Sequence, residues 1–228
     1  MRRSREWPYF HVLQAASELS AASNPERLEP VTLTGRFARL EPLSLSHLDD
    51  LTAVGLDPEL WRWIPSQVGT REEMRGYIET ALAEREAGVS LPFSVIHLES
   101  GRAIGSTRYG AINLPNRRLE IGWTWYAPAY QRTPVNTECK LLLLTHAFET
   151  LGMIRVEFKT DALNEKSRSA LLRIGAVQEG IFRKHLICDS GRIRDTVYFS
   201  ILDTEWPEKK RVLEAKLART SRSRQADC

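Results

Sequence analysis

The stretch Arg118-Leu119-Glu120-Ile121-Gly122-Trp123-Thr124-Trp125-Tyr126 and the turn after it, Ala127-Pro128-Ala129-Tyr130-Gln131-Arg132-Thr133-Pro134-Val135-Asn136, decide the fold. Residues 118–126 alternate in polarity with period two, the pattern of a half-buried strand. From Thr137 to Leu151 the chain is rich in helix formers, and Gly152 stands where a helix C-terminus places its left-handed residue. Ile154-Arg155-Val156-Glu157-Phe158-Lys159-Thr160 then alternates again as a second strand. Strand, turn, helix, strand is a crossover unit, which predicts an α/β or α+β domain with helices covering a sheet.

Upstream of this unit, Phe93–Leu98 and Ala103–Tyr109 read as strands joined by the hairpin turn Glu99-Ser100-Gly101-Arg102. Ahead of them, Thr70 with Glu73 is a capping box that opens a helix with Met74, Tyr77, Ile78, Ala81 and Leu82 on one face. Ser46 with Asp49 predicts a shorter helix before it, and Val31–Leu40 reads as a first strand around a Gly35 turn. Downstream, Asn164 caps a short helix that closes at Gly175. Val177–Phe182 and Arg194–Leu202 then form a hairpin around Asp189-Ser190-Gly191, and Trp206-Pro207 starts a last helix whose pattern ends near Ala218. One domain over residues 31–206 is expected, with 1–30 a flexible extension and 207–228 a basic helix and tail.

The charge balance of +3 over 228 residues is uneven. Residues 207–228 hold seven basic and three acidic side chains, which leaves 25 basic against 26 acidic in residues 1–206. The basic excess is a tail, so nucleic-acid binding is disfavoured as the main activity. No run approaches the roughly 18 apolar residues of a membrane span, and Met1-Arg2-Arg3-Ser4-Arg5 is followed by no apolar stretch of the kind a signal peptide needs. Cys139, Cys188 and Cys228 make neither a disulfide framework nor a metal motif, and a reducing cytoplasm is the expected compartment. There is no Gly-x-Ser-x-Gly elbow, Walker loop or Gly-x-Gly-x-x-Gly fingerprint, which disfavours most hydrolase, kinase and dinucleotide readings. What remains is a strand leading through a polar turn into a helix start at 131–137. Such a start offers unpaired N–H groups and a positive dipole end to a phosphate, with Arg132 and Thr133 as further side-chain donors.

The order of these elements resembles the GCN5-related N-acetyltransferases (GNAT), and within them the RimJ/RimL-type ribosomal-protein branch. The resemblance is carried by Leu119-Glu120-Ile121-Gly122-Trp123, the turn after Pro128, Asn164-Glu165-Lys166-Ser167, Gly175-Ala176-x-x-Glu179-Gly180 and Asp195-x-Val197-Tyr198-Phe199-Ser200-Ile201. It implies a mostly antiparallel mixed sheet splayed between its fourth and fifth strands and flanked by helices. It also implies acetyl-CoA as co-substrate and a primary amine, on a protein N-terminus or a small molecule, as acceptor. A ribosomal protein as acceptor and a homodimer are compatible with it, and no metal is implied. The family's pyrophosphate loop falls on Gln131 to Asn136, where Pro134 and Asn136 replace small residues. Pro134 has no N–H to give, but the first turn of a helix does not use one. Backbone groups of Trp123, Trp125 and Tyr126 would pair with the pantetheine amides, and Arg132, Thr133, Val135, Asn136, Thr137 and Asn164 complete the implied cofactor contacts.

Ser167 stands near the implied position of the sulfur, with Leu171 and Leu172 where many relatives carry a tyrosine acid. Glu120 is the candidate base and His185 a substitute for it. Trp61 and Trp63 lie in the segment that walls the acceptor pocket in relatives. Each residue has a plainer reading beside this one: Glu120 as a solvated carboxylate paired with an Arg, Ser167 as a helix-start residue, His185 as a structural group, the tryptophans as packing, and Cys139 as buried helix packing. A non-catalytic acyl-CoA-binding module and an RNA-contacting protein that uses the basic tail stay open as alternatives.

Overall fold

The computed structural model describes residues 27–226. Its strands are β1 (Leu33–Thr34), β2 (Ala38–Pro42), β3 (Leu91–His97), β4 (Ala103–Asn113), β5 (Arg118–Tyr126), β6 (Arg155–Asp161), β7 (Val177–Ile187) and β8 (Ile193–Leu202). The helices are α1 (Leu48–Gly55), α2 (Pro58–Trp61), α3 (Arg71–Glu86), α4 (Pro134–Thr145), α5 (Glu165–Arg173) and α6 (Trp206–Ala226). All strands join one sheet in the order β1-β2-β3-β4-β5-β6-β8-β7. Every neighbouring pair is antiparallel except β5 and β6, the two strands that the α4 crossover joins.

That parallel pair holds together only at Arg118–Arg155, Leu119–Val156 and Glu120–Glu157. Beyond Glu120, β5 stays with β4 as far as the pair Gly105–Tyr126, while β6 stays with β8 to Asp161–Thr196. The sheet therefore opens into a wedge whose apex is Glu120 and whose mouth lies between Tyr126 and Asp161. Along the chain this is the opening expected from the resemblance. Its flanking strands are the fifth and sixth because the two-residue β1 adds one to the count.

Each face of the sheet carries its own apolar cluster. Under α4 lie Val135, Cys139, Leu143 and Leu144 with Phe93, Val95, Tyr109, Leu119, Ile121, Val156 and Phe158. Under α1 and α3 lie Leu51, Trp61, Met74, Tyr77, Ile78 and Trp125. At about 1.5–3 kcal/mol per large apolar side chain removed from water, these clusters are the main force holding the helices to the sheet.

Several boundaries differ from the sequence expectation. Leu28 is buried in the α4-side cluster, so packing begins before residue 31, while Ala21 to Pro25 lie outside the described residues. The helix expected from Ser46 and Asp49 is entered through a tight turn, Leu45–His47, N-capped by Ser44. His47 Nδ1 accepts the Ser44 N–H at 3.2 Å, and α1 starts at Leu48. Helix α4 starts at Pro134, three residues before the expected Thr137, and a single π-turn, His146–Thr150, continues it to Leu151. The last helix runs on past Ala218 to Ala226. It packs on the domain: Trp206 and Leu213 are buried in the core, and Lys210 pairs with Glu149 at 2.9 Å.

The alternation of β5 also breaks once. Ser106 faces Trp125 and Arg108 faces Gly122, so Thr107 stands opposite two residues, and Trp123 takes a left-handed φ of 49°. This bulge turns the Trp123 ring onto the face of Glu120, away from the side of Ile121 where strict alternation would place it. The ring has room there because its neighbour on β4 is Gly110, where a Cβ would come within 2.4 Å of it.

Candidate functional site

The mouth of the wedge and the start of α4 meet at residues 131–137. Thr133 is the N-cap of α4 and Pro134 its first residue, so the missing proline N–H costs the helix nothing. Arg132 takes a left-handed φ of 59°, a conformation that glycine would adopt at lower cost. The side chains of this loop are largely committed to it. Gln131 Nε2 donates to the Tyr126 carbonyl at 3.2 Å, and Thr133 Oγ1 donates to the Tyr130 carbonyl at 2.7 Å while accepting from Val135 N–H at 3.4 Å. Thr133 is therefore corrected from a side-chain phosphate donor to the residue that fixes the helix start, and Val135 N–H is spent on it. The N–H of Asn136, the third residue of the helix, has no intrahelical acceptor and sits at the positive end of a 12-residue helix. With the exposed Arg132 side chain, it is the group that fits a pyrophosphate.

At the apex, Glu120 is buried to 6% exposure and paired with Lys159, whose Nζ lies 2.7 Å from Oε2. It is neither solvated nor paired with an Arg. Burial pushes its carboxyl above the usual carboxylate range, and Lys159 pulls partly the other way. Burial likewise works against the Lys159 ammonium, but the Glu120 charge and hydrogen bond outweigh it and raise the lysine. Lys159 lies 5.1 Å from the Tyr198 ring centroid, and the Tyr198 hydroxyl is 3.4 Å from His185 Nε2. Thr196 Oγ1 is 3.1 Å from the other His185 nitrogen. Glu120 and His185, separate in sequence, thus lie along one polar line, and Lys159 and Tyr198 from that line, together with Phe182, help to wall a cleft of about 500 Å³.

Ser167 is not part of this line. It sits half-buried in the first turn of α5, beyond the end of β6, where its backbone N–H donates to Asn164 Oδ1 at 3.0 Å. Asn164 is accordingly the N-cap of α5. From Glu157 at the apex to Asp161 the strand rises about 13 Å, so Glu120 and Ser167 mark opposite ends of the wedge.

A second cleft, of about 280 Å³, opens at the bulge between α3 and residues 66–68. Trp123, Tyr77, Arg108, Glu73, Glu84 and Asp189 are among its walls. Arg108, 2% exposed, pairs with Glu84 at 2.7 Å and lies between the rings of Tyr77 and Trp123, at 5.2 and 4.9 Å. The Asp189 N–H donates to the Pro65 carbonyl at 3.0 Å and so closes the rim. Trp61 is corrected as an acceptor contact: it is fully buried, donates its indole N–H to the Gly55 carbonyl at 2.7 Å and packs on Trp125. Trp63 is half-exposed between Arg62 and Arg192, at 4.8 and 5.3 Å from its ring. Trp125 turns its side chain into the α3-side cluster, and Tyr126 into the α4-side one.

Two lysines of the site were not singled out in the sequence. Lys159 falls on the Glu157 side of the alternating β6, so its place beside Glu120 follows from the pairing of β6 with β5. Lys140 is the stronger case. On the sheet-facing side of α4, it is buried to 6% exposure and its Nζ donates to Thr124 Oγ1 at 3.0 Å. Burial brings its ammonium down to about 8. Cys139 beside it is fully buried, and burial pushes its thiol up to about 12, which bears out packing over reactivity. Between pH 10.5 and about 8 the unfolded chain takes up a proton at Lys140 that the folded chain refuses, so stability falls as pH falls through that window. K140M is expected to melt higher than the native chain at neutral pH, with the gap closing as pH rises from 8 towards 10.5. Thermal melts across that range check this, and a gap that does not change with pH would count against it.

Residues 38–177 match the family described as acetyltransferase (GNAT) domain. YdaF of Bacillus subtilis, whose name carries a provisional assignment as a ribosomal N-acetyltransferase, is 36% identical over 118 residues. That match covers 50% of this chain and 63% of YdaF, just under two thirds of its length. Among solved structures, a GCN5-related N-acetyltransferase from Brucella melitensis superposes with a TM-score of 0.78 at 35% identity, over 84% of this chain and 87% of that one. RimJ of Mycobacterium smegmatis, solved in complex with CoA-disulfide, shares the fold with a TM-score of 0.72 at 23% identity, over 82% of this chain and 95% of RimJ.

Proposed function

The chain belongs to the GNAT acetyltransferase family, and from that premise we propose that it transfers an acetyl group from acetyl-CoA to a primary amine by direct attack in a ternary complex. The observation that carries this reading is the wedge: two strand edges part at Glu120, and the open start of α4 stands at their mouth. Unpaired strand edges match the amides of an extended arm, and the helix start matches its pyrophosphate.

The acceptor enters from the α3 face, through the cleft at Trp123, where Glu73, Glu84 and Asp189 favour a protonated amine over an anion. Its nitrogen attacks the thioester carbonyl carbon, the C–S bond breaks and CoA leaves as the thiolate. Glu120, at the apex, takes the amine proton through a relay of waters along the wedge, and the Ser167 hydroxyl at the other end hydrogen-bonds the departing thiolate. A strand N–H near Trp125 or Tyr126 supports the negative charge on oxygen. Orientation of the two reactants supplies much of the rate. The acceptor class includes protein N-termini, and the name of YdaF supports placing ribosomal proteins in the first panel of acceptors.

The test combines binding and turnover. Acetyl-CoA is expected to raise the melting temperature, CoA thiol is expected to appear only when an amine acceptor is added, and S167A is expected to keep the thermal shift while losing most of the turnover. No thermal shift with acetyl-CoA would end the reading. An unchanged rate in S167A would remove Ser167 from it.

A further inference from the structure

Lys140 is a buried cation with one neutral partner. Among the described residues its ammonium meets Thr124 Oγ1 at 3.0 Å and the Phe158 ring, 5.7 Å from its centroid, and no carboxylate stands within ion-pair distance. A desolvated charge in that situation is costly unless something else answers it. The groups that could do so are accounted for. On α4, the Glu138 carboxylate is taken by the backbone N–H groups of Arg36, Phe37 and Ala38, and Cys139 is a neutral thiol close to the buried Tyr126 hydroxyl. Glu120, on β5, acts on Lys140 from a distance but bonds to Lys159. Facing it, β6 presents Phe158, and β4 presents Thr107, which bonds to Thr124.

The place of this charge is as telling as its isolation. Thr124 belongs to β5 and Phe158 to β6, so the ammonium bridges the two strands that part at Glu120. Lys140 also lies six residues, or about 9 Å, along α4 from its phosphate-binding start. A linear ligand anchored by a phosphate at that start and running into the wedge passes this ammonium.

We propose that Lys140 grips the acyl-CoA arm inside the wedge, its ammonium donating to a carbonyl oxygen of the acylated pantetheine. This rests on the acyl-CoA reading and adds to it the residue that answers the arm's polarity in mid-gap. The bond holds the carbonyl in place. Where that carbonyl is the thioester's own, it also favours the negative charge that forms on its oxygen during attack.

The proposal fixes the sign of a proton exchange. An arm that accepts from the ammonium stabilises its charged form, so binding takes up protons, whereas an arm that only dries the gap drives protons off. The experiment is calorimetric titration of acetyl-CoA at about pH 9, between the Lys140 value of about 8 and the ordinary lysine value of 10.5, in buffers of different ionisation enthalpy. The native chain is expected to take up a fraction of a proton, and K140M to exchange none while binding about tenfold more weakly, the scale of one charge-assisted hydrogen bond. Proton release, no exchange in the native chain, or equal affinity in K140M would overturn the proposal. The methyl thioether of CoA, which lacks the thioester carbonyl, identifies the acceptor: uptake that persists assigns a pantetheine amide, and uptake that vanishes assigns the thioester. No binding of acetyl-CoA by the native chain would instead bring down the acyl-CoA reading, and this inference with it.

Discussion

E138A is expected to lower the stability of the protein by about 3–5 kcal/mol. The Glu138 carboxylate accepts three backbone N–H groups from the turn between β1 and β2, those of Arg36 and Phe37 at 2.7 Å and of Ala38 at 2.9 Å. A side chain 5% exposed on α4 thus ties down a hairpin about a hundred residues away in sequence. Alanine leaves all three without their acceptor: the buried Ala38 donor costs about 1–3 kcal/mol, and the part-buried donors of Arg36 and Phe37 add less because water reaches them. The seat is tight as well: a Cβ on Gly35 would stand 2.3 Å from the Glu138 carboxyl carbon, so the turn needs glycine for space. E138Q keeps one oxygen acceptor and is expected to lose less than alanine. Denaturant midpoints of the three proteins decide the matter, and an E138A chain within about 1 kcal/mol of the native one would show that the carboxylate is dispensable.

The second large effect concerns rate. With Glu120 as base, E120Q is expected to lower kcat by about a hundredfold or more, within the range of general-base catalysis, and to leave acetyl-CoA affinity nearly unchanged. The pH profile separates this role from a structural one. A base works deprotonated, so kcat/KM rises with pH through the Glu120 value, which burial holds above the usual carboxylate range. In E120Q that rise disappears. K159M removes the ammonium that draws the carboxyl down, so the rise moves to higher pH. A rise that stays in place in both variants would assign the proton transfer elsewhere, to water or to His185 at the far end of the Lys159–Tyr198 line.

How far the sequence carried can be judged residue by residue. The alternation of 118–126 and of 154–160, with the helix between them, was enough for the crossover, because strand and helix periods are local, whereas the opening of the sheet was implied only by the family resemblance. The Thr70 cap and the Asn164 cap were legible for the same reason. The bulge at Trp123 was not, since it depends on the register of β4 opposite, and it reverses the face of the ring that lines the cleft beside α3. Trp61 and Trp63, two residues apart, have opposite fates, one in the core and one at the surface, because α2 ends between them. Lys140 did carry a signal: it lies three and four residues before Leu143 and Leu144, so helical spacing puts a lysine on the buried side of α4. Its partner Thr124 comes from another element, and only the fold brings them together.

The wedge has one further consequence. An unpaired strand edge is a hazard on a protein surface, since it offers a ladder of donors and acceptors to any passing chain and invites aggregation. Here two such edges face each other inside the domain, beneath α4 and joined at Glu120. The parting of β5 from β6 thus lets a sheet keep an unfinished seam without the risk that an exposed edge would bring.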